Sequence, residues 1–417
     1  MKLRLVGILA AAAVAPLACG TSGSPPSTGA AGASGNPVRG VPDATTGQLD
    51  ATISLGGGGD ASTSADDGAS GEGGGGSVAD GADDLDSAIL DASPADAGPP
   101  VVCTASLAAG DYEQTMPTDA GLRTFQVHVP PGLDPTQPAP LVFAFHGGGE
   151  NAWQFEQFAH IHAKADAAGF ILVEADGTPA LGPSVIPPPS PEAGIVLEVW
   201  NAGNCCEYAS QVNANVDDVG FVRMMIDSIE AQTCIDPKRV FATGFSNGGM
   251  LSHRLACQLS DRIASIVAVS GGSGATDYDM TPPETLFDCT PGRPVPVLHI
   301  HGTQDACYPF DGGWGPLSLV TFEPVMTTIE GWVQRNGCGD AGPTNVYTND
   351  AATCDLYPCP QEGQVELCVI AGGGHYWPGG DPWAGSTVFC GSDQGFLSSD
   401  IVANDAFWTW FTNHPMP

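Results

Sequence analysis

Residues 240–250 read VFATGFSNGGM. Val240–Thr243 is a short apolar run, Gly244-Phe245-Ser246-Asn247-Gly248 has the form G-x-S-x-G, and Asn247–Leu259 carries helical spacing. A strand that breaks sharply into a helix, with a glycine on each side of a serine, lifts the hydroxyl out of the sheet and aims the helix N-terminus at developing negative charge. The motif alone is common. The strand–turn–helix setting makes Ser246 a candidate nucleophile rather than an incidental serine in a Gly-rich turn.

Outward from this turn, strand-like and helix-like runs alternate. Strands are expected at Thr124–Val129 (an edge), Leu141–Phe145, Phe170–Ala175, Arg239–Gly244, Ile266–Ser270, Val295–Ile300 and Val365–Ile370. Helices are expected at Ala152–Ala168, Asp217–Cys234, Asn247–Leu259, Thr327–Asn336 and Ser399–Thr412. Such alternation implies an α/β fold, a mainly parallel sheet with helices on both faces. The Pro-rich stretch Gly177–Gly203 reads as a long loop of the kind that forms lids or binding surfaces.

A serine hydroxyl needs a base, and the base an orienting acid. His375, in the Gly-rich loop GGGHYWPGG (Gly372–Gly380) after the last strand, is the candidate base. His253 lies inside a helix and faces elsewhere, His299 and His301 lie in a strand and read as packed, and His414 sits in the tail. Asp305, just after strand Val295–Ile300, falls at the carboxyl edge of the sheet, where open α/β sheets bind ligands. Asp311 is its competitor, with a turn residue as its plain reading. Two backbone N–H groups are needed to hold an oxyanion. Asn247 follows the nucleophile, and Gly148, with Gly147 next, lies in His146-Gly147-Gly148-Gly149 after strand Leu141–Phe145. His146 itself reads as structural.

VFAFHGGG (Val142–Gly149), WNAGNCC (Trp200–Cys206), VDDVGF (Val216–Phe221), DPKRVFATGFSNGGM (Asp236–Met250), VPVLHIHGTQD (Val295–Asp305) and GGGHYWPGG together resemble the extracellular polyhydroxybutyrate depolymerase and feruloyl esterase family of α/β-hydrolases. The resemblance covers about residues 120 to 412. It implies ester hydrolysis through an acyl-enzyme without cofactor, with Ser246, Asp305 and His375 as the catalytic set and Gly148 and Asn247 at the oxyanion hole. Many members have fewer cysteines, so Cys307 and Cys390 are departures; a bridge at Cys307 would stiffen the acid loop. Trp200 and Trp377, with Trp314 and Tyr376, are candidates for an aromatic face toward a phenolic acid or sugar, each with a core reading beside it.

The remaining composition sets the context. Residues 1–19 read as a charged and then apolar leader ending in Leu-Ala-Cys-Gly, which resembles a bacterial lipobox with Cys19 as the acylated residue and an outer-membrane anchor as the destination. Residues 20–100 are nearly pure Gly, Ala, Ser, Asp and Pro and read as a disordered tether. Residues 101–417 are the esterase domain, expected as a monomer. A net charge of -35 with only 12 Lys plus Arg excludes a nucleic-acid binder. Of 13 cysteines, setting Cys19 aside leaves an even number, which reads as disulfides in an exported domain. No C-x-x-C pair is present, so no metal is expected. The expected activity is feruloyl or acetyl-xylan ester hydrolysis on plant polysaccharide. A polyester depolymerase is the alternative, and a non-catalytic surface binding protein is the alternative of another class. A serine peptidase is weaker still, since nothing resembles the propeller domain of the oligopeptidases. Activity is expected to fall below about pH 6 as the imidazole protonates.

Overall fold

The computed structural model describes residues 103–104, 106–179, 198–203, 215–277, 287–315, 320–383, 390–391 and 394–417. The chain divides into Met1–Ile89 and Leu90–Pro417, and every described residue belongs to the second unit. The proposed leader, Cys19 and the tether lie outside the described residues, as do Cys205, Cys206 and most of the Pro-rich stretch.

The core of the domain is a ten-stranded sheet. Its strands are β1 (Gly110–Thr118), β2 (Gly121–Val129), β3 (Ala139–Phe145), β4 (Ile171–Ala175), β5 (Ile235–Phe245), β6 (Ile266–Val269), β7 (Val297–Gly302), β8 (Thr344–Asn349), β9 (Ala352–Leu356) and β10 (Val365–Ile370). They lie in the order β1-β2-β4-β3-β5-β6-β7-β10-β9-β8. The six from β4 to β10 run parallel. The pairs β1–β2, β2–β4, β10–β9 and β9–β8 are antiparallel. The expected α/β architecture is therefore present, with antiparallel flanks added on both sides.

Helices α1 (Ala152–Ala159), α2 (Ile161–Ala168), α3 (Asp218–Gln232), α4 (Asn247–Gln258), α5 (Val325–Arg335) and α6 (Ala403–Asn413) cover the two faces. Alternate residues of β3 feed separate cores. Leu141, Phe143 and Phe145 pack with Phe221, Met225, Ile229, Leu255 and Trp332 from α3, α4 and α5. Val142 and Ala144 pack with Phe155, Ile161, Phe407 and Phe411 from α1, α2 and α6. Burial on both faces explains why the inner strands read as unbroken apolar runs.

Two expectations change. The run Ala152–Ala168 is two helices, broken at His160, whose φ of 54° is left-handed. The Glu156 carboxylate accepts the N–H of Ile161 at 2.7 Å and so caps the second helix. Strand Thr124–Val129 is not the edge: β1 pairs outside it along its whole length. Among the described residues, no helix is long and apolar enough to cross a membrane.

Among the described residues, five disulfides join Cys103–Cys234, Cys257–Cys289, Cys307–Cys390, Cys338–Cys359 and Cys354–Cys368. Cys103–Cys234 spans 131 residues and ties the segment before β1 to the entry of β5. A loop of that length restricts the unfolded chain most. Peptide mapping without reductant should recover these five pairs. Replacing Cys103 and Cys234 together by Ala should cost about 2–5 kcal/mol in denaturant unfolding. An unchanged midpoint would contradict this.

Candidate active site

The turn from β5 into α4 is as tight as its glycines imply. Ser246 has φ 54° and ψ -118°, a conformation most L-residues avoid. A Cβ on Gly244 would collide with the backbone of Gly248, and one on Gly248 with the carbonyl oxygens of Phe145 and His146. The Ser246 N–H donates to Val269 O at 2.8 Å, and its carbonyl accepts from Met250 N at 2.9 Å. Its side chain makes no cap bond to α4 and is half-buried.

Sheet register brings the other two residues to the same edge. Phe245 pairs with Val269, Val269 with Ile300, and Gly302 with Ile370. Asp305 follows β7, and His375 follows β10. His375 Nδ1 donates to Asp305 Oδ2 at 2.7 Å, and Asp305 Oδ1 accepts the N–H groups of Cys307 (2.9 Å) and Tyr308 (2.8 Å). With Nδ1 committed to the carboxylate, Nε2 is the nitrogen left for a proton from a substrate-side group. The His375 ring lies 4.7 Å from that of Phe245, the residue before Ser246. Asp311 lies on the exposed surface of the turn before Gly312.

A short segment braces both loops. Gly395 N donates to Gln304 O in the acid loop, while Gly374 N donates to Phe396 O and Phe396 N to Gly372 O in the histidine loop. The Cys307–Cys390 disulfide ties the acid loop a second time. The two cysteines that depart from the resembled family thus fasten the residue beside Asp305.

The strand residues His299 and His301, read as packed, and the helix residue His253, read as facing elsewhere, are all buried. Yet they also form a chain. Trp332 Nε1 can only donate, so His253 Nδ1 accepts at 2.9 Å and the His253 proton sits on Nε2. His253 Nε2 faces His299 Nδ1 at 3.3 Å, and His299 Nε2 faces His301 Nδ1 at 3.0 Å. His301 Nε2 then donates to Tyr308 O at 2.9 Å, with Asp305 Oδ2 at 3.3 Å. The alternation His299-x-His301 after a strand was the visible signal: two imidazoles on one strand face, directed toward the acid.

The glycine loop is equally committed. Gly147 N donates to Glu150 Oε2 at 3.1 Å and Gly149 N to Glu198 O at 2.7 Å, which leaves Gly148 as the loop N–H not used in this way. His146 accepts from Gly177 N through Nε2 and donates to Gly147 O through Nδ1, so both ring nitrogens serve the backbone. Trp200 ties this loop to α4. Its main chain pairs with the Asn247 side-chain amide at 2.7 and 3.2 Å, and its indole donates to His146 O at 3.0 Å.

Burial corrects the aromatic expectation. Trp200 is 0% exposed and Trp377 1%. Trp377 packs edge-on against Phe155 and donates to Asn404 Oδ1. Neither indole presents a face to solvent; they hold loops in place. Trp383, which the sequence reading did not single out, is half-buried with its ring 6.0 Å from Phe245. A cavity of about 700 Å³ lies elsewhere, lined by Tyr347, Glu366, Trp410 and His414 among others, and none of Ser246, Asp305 and His375 lines it.

Burial also sets a pH signature. It raises Glu150 to about 8 and Glu198 to about 9, the latter aided by Asp176. Both carboxyls hold a proton in the folded chain at pH values where the unfolded chain, near 4.5, releases it. Their contribution to stability is therefore lost as pH rises from about 4.5 through 8 and 9. Burial lowers His146 to about 4 and His253 to about 3, so these oppose folding as pH falls from 6.5 toward 3. Melting temperature should decline from pH 6.5 to 9, and Glu150→Gln with Glu198→Gln should flatten that decline. An equal decline in the double variant would refute the assignment.

The phospholipase/carboxylesterase family matches residues 207–314, which include Ser246 and Asp305. Feruloyl esterase B of Piromyces equi is 32% identical over 256 residues, 60% of this chain and 42% of that one. The chain thus spans less than half the length of this relative. The putative esterase NocK of Nocardia uniformis subsp. tsuyamanensis is 30% identical over 276 residues, 62% of this chain and 71% of that one. Feruloyl esterase C of Emericella nidulans is 28% identical over 223 residues, 52% and 63%. Among solved structures, an acetyl xylan esterase from Aspergillus awamori aligns at TM-score 0.46 and 14% identity over 73% of this chain and 100% of that one, a likeness too distant to carry an argument. The chain's 30% identity to NocK over 71% of that putative esterase, together with its sheet of six parallel strands and the Ser246 turn, places it in the NocK family of esterases on an α/β-hydrolase fold.

Proposed function

We propose that residues 101–417 are a serine carboxylic-ester hydrolase that works through an acyl-enzyme on Ser246. The observation that carries this is the Asp305–His375 hydrogen bond at 2.7 Å, delivered by two loops to the sheet edge where Ser246 stands on its strained turn. His375 Nε2 takes the Ser246 proton as Oγ attacks the ester carbonyl. The same imidazole then protonates the leaving alcohol, and water repeats the sequence to free the acid. Asp305 stabilises the imidazolium and fixes its tautomer. The N–H groups of Gly148 and Asn247 take the developing oxyanion. The reading names no cofactor.

The ester proposed is a feruloyl or acetyl group on plant polysaccharide. Support comes from the names of the relatives, feruloyl esterases B and C, and from a bifunctional acetylxylan esterase/xylanase of Neocallimastix patriciarum, 26% identical over 258 residues. Trp383, half-buried with its ring 6.0 Å from that of Phe245, is the aromatic group proposed to meet a phenolic acyl ring. Export from the cytoplasm is supported by the five disulfides. A lipid anchor at Cys19 is proposed from the Leu-Ala-Cys-Gly sequence alone.

Ser246→Ala should fold with unchanged melting and lose turnover by about 10³-fold or more. It should also lose labelling by a fluorophosphonate probe that wild type takes up. Wild type left unlabelled would favour a non-catalytic binding protein. In a substrate panel, methyl ferulate and acetylated xylan should be cleaved. Clearing of polyester granules with no ferulate or acetate release would replace this substrate by a polyester.

A further inference from the structure

Far along the sheet from Ser246, two histidines and four acids meet. Asp111 lies on β1, His128 on β2, Glu174 on β4, Glu156 on α1, and His162 and Asp166 on α2. β2 stands three strands from β5 in the sheet order, so this cluster is separate from the candidate active site.

Each imidazole has one nitrogen held by its own carboxylate. His128 Nε2 meets Asp166 Oδ1 at 3.0 Å, and His162 Nε2 meets Glu174 Oε2 at 2.7 Å. The other nitrogen of each faces a single oxygen: His128 Nδ1 lies 2.6 Å from Asp111 Oδ1, and His162 Nδ1 lies 3.9 Å from the same atom. The rings stack at 4.4 Å with 30° between planes. One ligand atom from each of Asp111, His128 and His162 falls within 4.8 Å of the others. Imidazoles whose second nitrogen is fixed by a carboxylate, with the first converging on a shared point, are the arrangement that orients histidine toward a metal.

Charge points the same way. None of Asp111, Asp166, Glu174 and Glu156 pairs with Lys or Arg among the described residues. Four carboxylates against two imidazoles leave two negative charges over, even with both rings protonated. Glu174 is only 3% exposed, and its Oε1 has no hydrogen-bond partner among the described residues. A dication would take the place of the two ring protons and let both rings bind neutral. Asp111 is an exposed side chain on the sheet's edge strand, which gives an ion an entry path and room for a bound water.

We propose that Asp111, His128 and His162 form a divalent metal site of the zinc class, oriented by Asp166 and Glu174, that staples β1 and β2 to α2. Two imidazole nitrogens and one carboxylate oxygen suit Zn²⁺ or Co²⁺ over Ca²⁺ or Mg²⁺, which prefer all-oxygen sets. The sequence suggests no metal because it holds no C-x-x-C pair; these ligands come from three separate elements. Protons compete with the ion. The titratable groups around the ion are these six side chains, with His160 beside Glu156. Binding of the ion should release protons and tighten as pH rises.

The test uses the full disulfide-bonded chain after treatment with chelator. Zn²⁺ alone is titrated by calorimetry and Co²⁺ alone by visible absorption, at pH 6 and pH 8. Expected are one equivalent bound, tighter at pH 8, and a Zn²⁺-dependent rise in melting temperature. His128→Ala and His162→Ala should each weaken binding at least about tenfold, and Asp166→Asn about 10–100-fold. Ser246 labelling by fluorophosphonate should be unchanged in all three, which shows that they fold and separates this proposal from the hydrolase reading. No saturable Zn²⁺ binding by wild type at pH 8 would overturn the proposal, leaving an imidazolium–carboxylate cluster. Full binding retained by folded His128→Ala with His162→Ala would overturn it equally.

Discussion

The backbone of Ser246 is the constraint on which the rest depends. A serine at φ 54° costs of order 1–3 kcal/mol and persists only where its surroundings over-determine it. Those surroundings are specific. Gly244 and Gly248 touch with no room for a Cβ, Gly248 lies against the end of β3, and the Ser246 N–H is taken by β6. Relaxing the turn would require moving three central strands at once. The strain is thus held by the best-packed part of the sheet, and the hydroxyl stays out of the helix cap it would otherwise satisfy.

The opposite loops are held by polar contacts rather than by packing. Asp305 is pinned by two main-chain N–H groups and His375, and its loop by the 394–396 segment and a disulfide. The glycine loop is held by Glu150, by the Glu198 carbonyl and by Trp200. Trp200 in turn is seated over the buried Arg123–Asp218 pair: the guanidinium lies 5.3 Å from its ring, and Asp218 Oδ2 accepts Asn201 N at 2.6 Å. Hence Trp200 and Asn201 of WNAGNCC and Asp218 of VDDVGF, close together in sequence, serve one purpose. They fix the main chain that clamps Asn247.

The inner strands were legible because burial on both faces leaves an unbroken apolar run, and β10 matches its expected bounds. Ser246, Asp305 and His375 were legible because each follows such a strand. The flanks were not. β1 alternates between exposed and half-buried residues, and β8 (TNVYTN) is exposed throughout, so neither has an apolar signature. Trp200 and Trp377 misled because an aromatic residue beside a reactive motif looks the same in sequence whether it faces substrate or core. Only the indole N–H partners, His146 O and Asn404, tell them apart. Glu150 was hidden because its partner is a main-chain atom, and the His253–His299 link because it joins two elements; His299-x-His301 was the part visible in the sequence.

The shortage of cations connects these details. Against 47 Asp plus Glu the chain has 12 Lys plus Arg, so most carboxylates cannot have a permanent cationic partner. On the surface water serves instead. Among the described residues, one buried acid, Asp218, has an arginine. Asp305 uses two N–H groups and the His375 imidazole, and Glu174 uses an imidazole. Glu150 and Glu198 keep their protons. The imidazoles and the retained carboxyl protons depend on pH in a way that a guanidinium does not. Imidazole is also the one among them that can exchange its proton for a metal ion. A domain that balances its buried acids with histidine therefore couples its folding to proton and metal concentration far more closely than one that uses arginine.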